Sequence, residues 1–168
     1  MNDDIATYAY MAGLIDGEGS IQPYAEENIV KGWLGVHIKL NIANTDMNML
    51  NWCDEHWSGH ICKHVSKQEY VWWQWTALTK SLVDIFEGCL PYLITKKEEV
   101  ECALRLRQSL DSTSQGTKIP VPVAIARLND AIRIYEIHHE RSSTRKTGKT
   151  YEAMVVRRDE LLTQVGTL

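Results

Sequence analysis

Hydrophobic and polar residues alternate most regularly between residues 34 and 43. The odd positions are small or polar, and the even positions are large aliphatic residues: Leu34, Val36, Ile38, Leu40 and Ile42. A period of two is typical of a β-strand with one buried face and one solvent-facing face. This segment is therefore the clearest strand in the sequence.

Other segments predict further helices and strands. Apolar spacing predicts helices over about 5–15, 46–57, 79–89, 95–110, 123–140 and 151–163. Shorter strands are predicted over about 20–25, 60–65 and 69–75, and Pro23 confines the first of them to a sheet edge or a bulge. The order α-β-β-α-β-β-α, followed by more helices, is typical of an α+β domain with an antiparallel sheet.

Local signals mark where some of these elements begin. Asn44 or Thr45 is the expected cap of the helix over 46–57. Thr95 and Glu98 have the spacing of a capping box at the start of the helix over 95–110. The polar turn Ser66-Lys67-Gln68 is expected to join the last two strands.

Length and composition are those of an ordinary globular domain. The chain has 168 residues and a mass of 19.2 kDa, with 44% hydrophobic and 24% charged residues. We expect a single domain over residues 1–168, with its core over about 1–110 and helices and a basic loop over about 120–168. Neither a secretion signal nor a membrane-spanning apolar run is evident, so the expected location is intracellular, not secreted, with no membrane partner. Its four cysteines are expected to be free thiols.

The net charge of −4 at first argues against a nucleic-acid partner, because domains that bind nucleic acids tend to be basic. The acidic residues are unevenly distributed, however. Six of the 22 lie within the first 27 residues, which hold no Lys or Arg, and the rest of the chain is slightly basic. Arguments about a partner must therefore be made from local sequence.

The segment YMAGLIDGEGS at residues 10–20 carries the candidate chemistry. Asp16 and Glu18 lie at the end of the predicted helix, where the helix dipole disfavours carboxylates unless a cation compensates. Gly17 and Gly19 allow a sharp turn, and backbone carbonyls and carboxylates together suit a hard cation such as Mg²⁺. A helix C-terminus with chance acids explains these residues equally well.

A stripe of small residues precedes these acids along one face of the same helix: Ala6, Ala9, Ala12 and Gly13. Small side chains allow two helix backbones to approach closely. The stripe is therefore a candidate helix–helix contact.

Residues 12–19, with the sequence AGLIDGEG, resemble the LAGLIDADG signature of the homing endonucleases. The order of elements over about 1–110 also resembles the fold of that family, in which the antiparallel sheet is saddle-shaped. The motif occurs once, and family members with a single copy act as homodimers. The resemblance therefore implies a homodimer in which the small residues of the motif helix, with Asp16, form the subunit contact.

The resemblance also implies site residues. Glu18, the last acid of the motif, matches the essential metal ligand, with the Gly17 carbonyl as a second ligand. The implied cofactor is Mg²⁺, with Mn²⁺ as a substitute. Asn44 matches a polar residue that orders water, and Lys96 matches a basic residue near the scissile phosphate. A solvated surface lysine, or Lys97 acting in its place, is the open alternative for Lys96.

In this fold the sheet lies in the DNA major groove, where each base pair shows a distinct pattern of donors and acceptors. The alternation of residues along each strand then predicts which side chains face the DNA. Glu69 and Val71 are weaker candidates for such contacts. The expected DNA contacts are Gln22, Tyr24, Asn28, His37, Lys39, Asn41, His60 and His64, with Cys62 between the last two. An ordinary solvated strand face is the alternative.

The segment RSSTRKTGK at residues 141–149 has four positive charges and no acid. Arg141, Arg145, Lys146 and Lys149 suit contacts with DNA phosphates, which position a protein without specifying sequence. Homing endonucleases of this family carry a basic loop before their last helix, and Arg145 and Lys146 match it. A flexible basic loop is the alternative.

Two other clusters suggest different chemistry. The Cys and His residues between positions 53 and 64 are the usual ligands of zinc, but their spacing matches no common zinc module: Cys53, His56, His60, Cys62 and His64. Three tryptophans could stack on bases: Trp72, Trp73 and Trp75. Because they lie in a strand beside the core, packing is the favoured interpretation.

The function these observations favour is that of a site-specific, double-strand DNA endonuclease. It would hydrolyse phosphodiesters as a metal-dependent homodimer, on a long pseudo-palindromic site, and leave 3′ overhangs. The alternatives are a maturase that binds intron RNA and a cleavage-inactive DNA-binding protein of the same fold. Glu18 favours the nuclease, because binding alone does not require a central pair of acids.

Overall fold

The computed structural model describes residues 3–28, 33–112, 119–142 and 148–166. Within these ranges six α-helices and four β-strands follow one another: α1 (Asp3–Glu18), β1 (Gly19–Asn28), β2 (Trp33–Asn44), α2 (Met47–His56), β3 (Gly59–Val65), β4 (Val71–Ala77), α3 (Leu82–Cys89), α4 (Lys97–Asp111), α5 (Val121–Arg141) and α6 (Lys149–Gly166). Short 3₁₀ turns at Thr79–Ser81 and Leu90–Tyr92 flank α3. The predicted α+β class and order of elements are confirmed.

The strands form one four-stranded sheet in the order β1-β2-β4-β3. β4 pairs antiparallel with both of its neighbours, so that Asn41 of β2 and His60 of β3 lie on either side of Thr76. β1 lies at an edge of the sheet, as Pro23 predicts, because proline has no amide hydrogen to donate to a second neighbouring strand.

The chain divides into two compact units. The first comprises Met1–Gln22 and Lys39–Glu101, and the second comprises Pro23–Ile38 and Cys102–Leu168. The boundary thus passes through β1, β2 and α4. The single domain expected from the sequence stays a prediction.

The core of the first unit is built on the even-numbered face of β2. Leu40 and Ile42 are fully buried, as the alternation predicts, together with Met11 of α1, Trp75 of β4 and Phe86 of α3. Burial of each such side chain stabilises the fold by roughly 1.5–3 kcal/mol.

Helices α1 and α3 are joined in this unit by a polar contact. The Tyr8 hydroxyl donates a hydrogen bond to the Asp84 carboxylate at 2.7 Å, and Trp57 Nε1 donates to its other oxygen at 2.6 Å. Gly88 permits the close approach, since an added Cβ would lie 2.1 Å from the Tyr8 ring. The contact orients α1, which carries the motif.

The second unit is held together by packing of α5 on α6. Leu128 and Ile132 of α5 and Met154 and Leu161 of α6 are buried. The Arg105 guanidinium of α4 forms an ion pair with Asp130 of α5 at 2.7 Å. These buried helix faces agree with the helices that the C-terminal third of the sequence predicts, and Val36 and Ile38 of β2 are buried in the same unit.

Helix boundaries differ from the predicted ones at functionally important points. α1 continues three residues beyond the predicted end, through Glu18. The N-cap of α2 is Asp46, not Asn44 or Thr45, because its carboxylate accepts the Asn48 amide hydrogen at 2.9 Å. No helix in the described ranges is long and apolar enough to cross a membrane.

Candidate active site and nucleic-acid interface

Glu18 is the last residue of α1, and its side chain is exposed. The helix includes Asp16 and Gly17, so the predicted sharp turn inside the motif is wrong, and the chain leaves the helix at Gly19, where β1 begins. Glu18 lines an open depression with residues from the end of β2 and the start of β4: Ala43, Asn44, Thr45, Tyr70 and Trp72. Glu18 and Asn44, predicted from separate segments, therefore lie at one site.

Asn44 is oriented by the start of α2. Its Oδ1 atom accepts a hydrogen bond from the Asp46 amide at 2.9 Å, and Asp46 in turn caps the helix. This local side-chain to backbone bond restricts the Asn44 amide within the depression. The position is consistent with its expected role of ordering water, which stays a prediction.

Asp16 and Lys96 contact the backbone of each other's segment. The Asp16 carboxylate accepts hydrogen bonds from the amides of residues 94–96 and from the Thr95 hydroxyl. Burial acts to raise the pKa of Asp16, but these hydrogen bonds outweigh it and the pKa is lowered. Lys96 Nζ donates to backbone carbonyls at the end of α1. The predicted contact of Lys96 with a scissile phosphate stays a prediction, while the structure gives the ammonium these other partners.

The exposed side of α1 is a stripe of mostly small residues at helical spacing: Ala6, Tyr10, Gly13 and Gly17. Ala6 and Gly13 were assigned to a subunit contact from the sequence, and Ala9 beside them is partly exposed. Ala12 is fully buried in its own chain, so its assignment to that contact is wrong. Successive residues of an α-helix are about 100° apart around its axis, so Ala12 faces the core while Gly13 faces outward.

Tyr10 is a member of this stripe that the small-residue pattern missed. It is 48% exposed and packs edge-on against Trp52 of α2, with 4.5 Å between the ring centroids. No motif in the sequence distinguishes it from a core tyrosine. Only the burial of its neighbours Met11 and Ala12 shows which side of α1 is open.

A row of hydrogen-bonded side chains crosses three strands of the first unit. Gln22 donates to Ser20 at 2.9 Å and accepts from Asn41 Nδ2 at 3.2 Å. The Thr76 hydroxyl donates to Asn41 Oδ1 at 2.8 Å. Asn41 is only 5% exposed, so it supports its neighbours and is not placed for the direct base contact expected of it. Gln22 and Lys39 are exposed, as that prediction requires of them.

The pairing of β3 with β4 decides which residues share the face that bears His60 and His64. His60 is opposite Thr76, Cys62 is opposite Gln74, and His64 is opposite Trp72. Directly paired residues point to the same side of a sheet. The assignment of Glu69 and Val71 to this face is therefore wrong, and β4 contributes Trp72, Gln74 and Thr76 to it instead.

The turn before β4 is two residues longer than predicted. It extends from Ser66 to Tyr70, closed by a hydrogen bond from the Ser66 amide to the Tyr70 carbonyl at 2.8 Å. Glu69 lies within it at φ 61°, a left-handed conformation that non-glycine residues rarely adopt. Glutamate gives no sequence signal for that conformation, so the start of β4 was placed too early.

The tryptophans of β4 divide between the two faces. Trp75 is fully buried, and its Nε1 donates to Asp54 at 3.2 Å, which agrees with packing. Trp72 instead stacks on His64, with ring centroids 5.3 Å apart, and Tyr70 stacks on Trp72 at 6.1 Å. Packing alone therefore does not describe Trp72, which lines the depression beside Glu18.

In the second unit, two predicted DNA contacts lie against each other. The Tyr24 ring stacks on His37 with 5.2 Å between centroids, and Glu26 lies 3.9 Å from His37 Nε2. Burial raises the pKa of Tyr24. Asn28 ends β1, and its side chain lies outside the described residues.

The basic segment is only partly described. Arg141 ends α5 and Lys149 begins α6, and both side chains are exposed. Arg145 and Lys146 lie outside the described residues, so their expected phosphate contacts stay predictions.

The Cys and His residues between positions 53 and 64 belong to different environments. Cys53 is fully buried, and burial raises the pKa of its thiol to about 12. His60 and Cys62 are exposed on β3. Among the residues that the structure describes, no three His, Cys, Asp or Glu side chains are grouped so as to hold a metal ion.

Within the described ranges, a metal at Glu18 would therefore share its coordination with groups such as water or a bound substrate. Magnesium is usually bound by one or two carboxylates together with waters and substrate phosphates. One exposed carboxylate with the adjoining Gly17 carbonyl, open to a substrate, suits that mode of binding. The site therefore fits a hard divalent cation that has coordination positions left for other ligands.

Comparison with solved structures places this fold among the homing endonucleases. The homing endonuclease I-CvuI in complex with its target matches with a TM-score of 0.69 and 17% identity, over 94% of this chain and 96% of that chain. The archaeal intron-encoded I-Vdi141I, complexed with DNA, matches with a TM-score of 0.70 and 15% identity, over 95% and 98%. The LAGLIDADG homing endonuclease I-SmaMI, bound to cleaved DNA, matches with a TM-score of 0.66 and 14% identity, over 90% of this chain and 48% of that chain.

The chain thus has the LAGLIDADG homing endonuclease fold, and the resemblance recognised from residues 12–19 is confirmed at the level of the fold. The chain corresponds to nearly the whole of I-CvuI and to about half of I-SmaMI. No family model matches it, and no curated protein matches its sequence significantly.

Proposed function

We propose that this chain is a site-specific DNA endonuclease that cuts both strands as a homodimer. The observation that carries the proposal is the position of Glu18. It ends the motif helix, it is exposed, and it lines one depression with Asn44. The fold supports the proposal, since I-CvuI and I-Vdi141I, which share it, were solved in complex with DNA.

The proposed reaction is hydrolysis of a phosphodiester. Glu18 and the Gly17 carbonyl would hold a divalent cation, Mg²⁺ or its substitute Mn²⁺. The I-CvuI complex was obtained in the presence of Ca. When bound, such a cation would supply activation of water and neutralisation of charge on the leaving 3′ oxygen. Asn44 orients water within the depression. The water oxygen forms a bond to phosphorus as the bond between phosphorus and the 3′ oxygen breaks. The products are a 5′ phosphate and a 3′ hydroxyl, whose proton comes from water, and staggered cuts leave 3′ overhangs.

The single motif and the exposed stripe of α1 support the proposed homodimer. One chain supplies one Glu18, whereas cutting two strands requires two such sites. Ala6, Gly13 and Gly17 leave the backbone of α1 accessible, which suits close packing against a second helix. Two-fold symmetry would then bring both copies of Glu18 to the centre and favour a pseudo-palindromic site.

Sequence recognition is assigned to the polar strand faces. In the first unit the proposed contacts are Gln22, Lys39, His60 and His64, and Trp72 is a further candidate because it is paired with His64. In the second unit they come from Tyr24 and His37, and Asn28 follows by alternation. Arg141, Arg145, Lys146 and Lys149 would contact phosphates, which strengthens binding without adding sequence information.

Replacement of the carboxylate tests the proposal directly. Wild type, Glu18→Gln and the control Glu55→Gln, an exposed acid on α2, are incubated with Mg²⁺ and a library of genomic and randomised sites. We expect wild type and control to cut a shared target and Glu18→Gln to lose at least about 10²-fold in rate, because it cannot hold the cation.

Each other outcome contradicts a named part of the proposal. Equal cutting by Glu18→Gln would remove Glu18 from the chemistry. Binding of a specific site without cutting by wild type would identify a cleavage-inactive DNA-binding protein. Selective binding of a structured RNA in place of DNA would favour the maturase.

A further inference from the structure

The Asp16 carboxylate ties the end of α1 to the start of α4. Its Oδ2 atom accepts the Ile94 amide at 2.8 Å. Its Oδ1 atom accepts the Thr95 amide at 3.2 Å, the Thr95 hydroxyl at 2.9 Å and the Lys96 amide at 2.9 Å. Because the Lys96 carbonyl accepts the first helical hydrogen bond, from Val100 at 3.0 Å, these amides immediately precede α4. The Lys96 amide is the first of the four amides that the start of a helix leaves without helical partners, so Asp16 acts as a cap supplied from a distant part of the chain.

Lys96 makes the converse contact. Its ammonium donates to the carbonyls of Ile15 at 2.7 Å, Asp16 at 3.0 Å and Gly19 at 2.7 Å. An ammonium has three N–H donors, and these three acceptors match them. The Ile15 and Asp16 carbonyls belong to the last turn of α1, where carbonyls lack helical partners. Lys96 therefore satisfies the C-terminus of α1.

The electrostatics of both helix ends favour this exchange. A cation is stabilised at the negative end of a helix dipole and a carboxylate at the positive end. The dipole of α4 disfavours a lysine at its own start, so the position of Lys96 is explained by α1. Likewise, the dipole of α1 disfavours Asp16 in its last turn, and α4 compensates. Each residue is unfavourable in its own helix and favourable in the other.

Glu18 lies between the contacted residues. Asp16 lies two residues before it and Gly19 one residue after it in the sequence. The carbonyls of both accept hydrogen bonds from Lys96. Its backbone is thereby held on both sides, whereas its side chain is exposed. A displacement of about 1 Å at a catalytic group can lower a rate by about 10²-fold.

We propose that Lys96 and Asp16 are positioning residues, a reciprocal pair of helix caps that fixes the backbone carrying Glu18. Lys96 acts through the carbonyls of residues 15, 16 and 19 and not through contact with the scissile phosphate. The positioning role rests on the proposed nuclease function, whereas the caps themselves do not.

The first experiment needs neither DNA nor metal. Thermal unfolding and amide hydrogen exchange are measured for wild type, Lys96→Met and Asp16→Asn, with Lys97→Met as the matched control. Lys97 is exposed and next in sequence. We expect Lys96→Met and Asp16→Asn to lower Tm by about 3 °C or more and to speed exchange at the amides of residues 94–96. Lys97→Met should change neither. If Lys96→Met left both Tm and amide hydrogen exchange unchanged, the proposed capping contacts would be contradicted.

The second experiment measures single-turnover cleavage at saturating DNA, well below every Tm. We expect Lys96→Met and Asp16→Asn to cut about tenfold more slowly or worse, with DNA affinity within about twofold of wild type. Lys96→Arg should remain slow, because a planar guanidinium cannot donate to three converging carbonyls. Full cleavage by Lys96→Arg, which can contact a phosphate, would overturn the positioning role.

Two further outcomes also decide the proposal. Normal rates in folded Lys96→Met and Asp16→Asn would show that the caps only stabilise the fold, and would contradict positioning. Slow cleavage confined to Lys96→Met, with Asp16→Asn normal, would assign Lys96 to the phosphate. If wild type cuts no site, the proposed function fails, and the first experiment still decides the caps.

Discussion

The two glycines beside Glu18 have different roles, although the sequence motif presents them alike. Gly17 belongs to α1, and an added Cβ would meet nothing within 4 Å. Gly19 follows the helix end, and an added Cβ would lie 2.6 Å from both the Cα atom and the carbonyl oxygen of Ile15. These are backbone atoms, so they cannot move aside as a flexible side chain could. Any side chain at position 19 would therefore collide with the backbone of Ile15, so this position requires glycine.

We predict that Gly19→Ala lowers the free energy of unfolding by about 2 kcal/mol or more, because the backbone must shift to admit the methyl group. Chemical denaturation with circular dichroism measures this change. Gly148→Ala, at a position where an added Cβ meets nothing within 4 Å, is the control and should stay within about 1 kcal/mol of wild type. Equal stability of Gly19→Ala and wild type would contradict the close approach.

The four cysteines differ in accessibility. Cys53, Cys89 and Cys102 are buried and Cys62 is exposed. Burial raises the pKa of both the Cys53 and Cys89 thiols to about 12. Since only the thiolate reacts, and at pH 8 a thiol of that pKa is about 10⁻⁴ ionised, these two stay unreactive until the protein unfolds or the pH approaches 12.

We predict that iodoacetamide at pH 8 labels the native protein at Cys62 alone. Cys62 lies between His60 and His64 on the proposed DNA-binding face, so target DNA should slow its labelling. Mass spectrometry locates the label, with Cys62→Ser and DNA lacking the target site as controls. Labelling at an unchanged rate under saturating target DNA would remove β3 from the interface.

At the scale of elements, periodicity predicted strands and helices well but not their contacts. The alternation over 34–43 identified the buried face of β2, where Val36, Ile38, Leu40 and Ile42 are at most 5% exposed. It also placed Asn41 on the polar face, where it lies buried because Gln22 and Thr76 bond to it. Alternation assigns a side of the sheet, whereas neighbouring strands decide how much of a side chain is covered.

We predict that Asn41→Ala lowers the free energy of unfolding by about 1–3 kcal/mol, because Gln22 and Thr76 lose a buried partner. It should also relax base preference at the position that Gln22 contacts, since that amide is no longer oriented. Lys39→Ala, two residues away and exposed, is the comparison. It should leave stability within about 0.5 kcal/mol, weaken binding to the target and relax base preference at the position that Lys39 contacts.

Stability curves and binding to a randomised site library test both variants. A stable Asn41→Ala variant with lost specificity would return Asn41 to direct base contact. An unchanged base preference in Asn41→Ala would instead remove Gln22 from base recognition.

At the scale of the whole molecule, the proposed dimer requires a glycine at position 13, whereas the single chain does not. Within one chain an added side chain there meets nothing within 4 Å, and α1 has no need of glycine. Replacing a helical glycine with alanine stabilises a helix by roughly 0.5–1 kcal/mol. Close packing of α1 against a second copy would, by contrast, leave no room for a larger side chain.

We predict that Gly13→Leu folds normally, remains monomeric and does not cut DNA. Sedimentation and circular dichroism measure mass and helix content, with Gly166→Leu, where an added Cβ also meets nothing within 4 Å, as control. A wild type that stays monomeric at all concentrations, with and without target DNA, would contradict the dimer. A dimeric Gly13→Leu would move the interface away from α1.

The sequence by itself determined the order of helices and strands, the buried face of β2 and the motif that ends in Glu18. These features depend on short-range periodicity and on residue types within a few positions, so they can be recognised locally. Only the tertiary structure decided that Ala12 is buried, that Trp72 joins the face of His64, and that Lys96 binds the end of α1. Those features depend on contacts between segments up to about 80 residues apart, and no local pattern reports which of them meet.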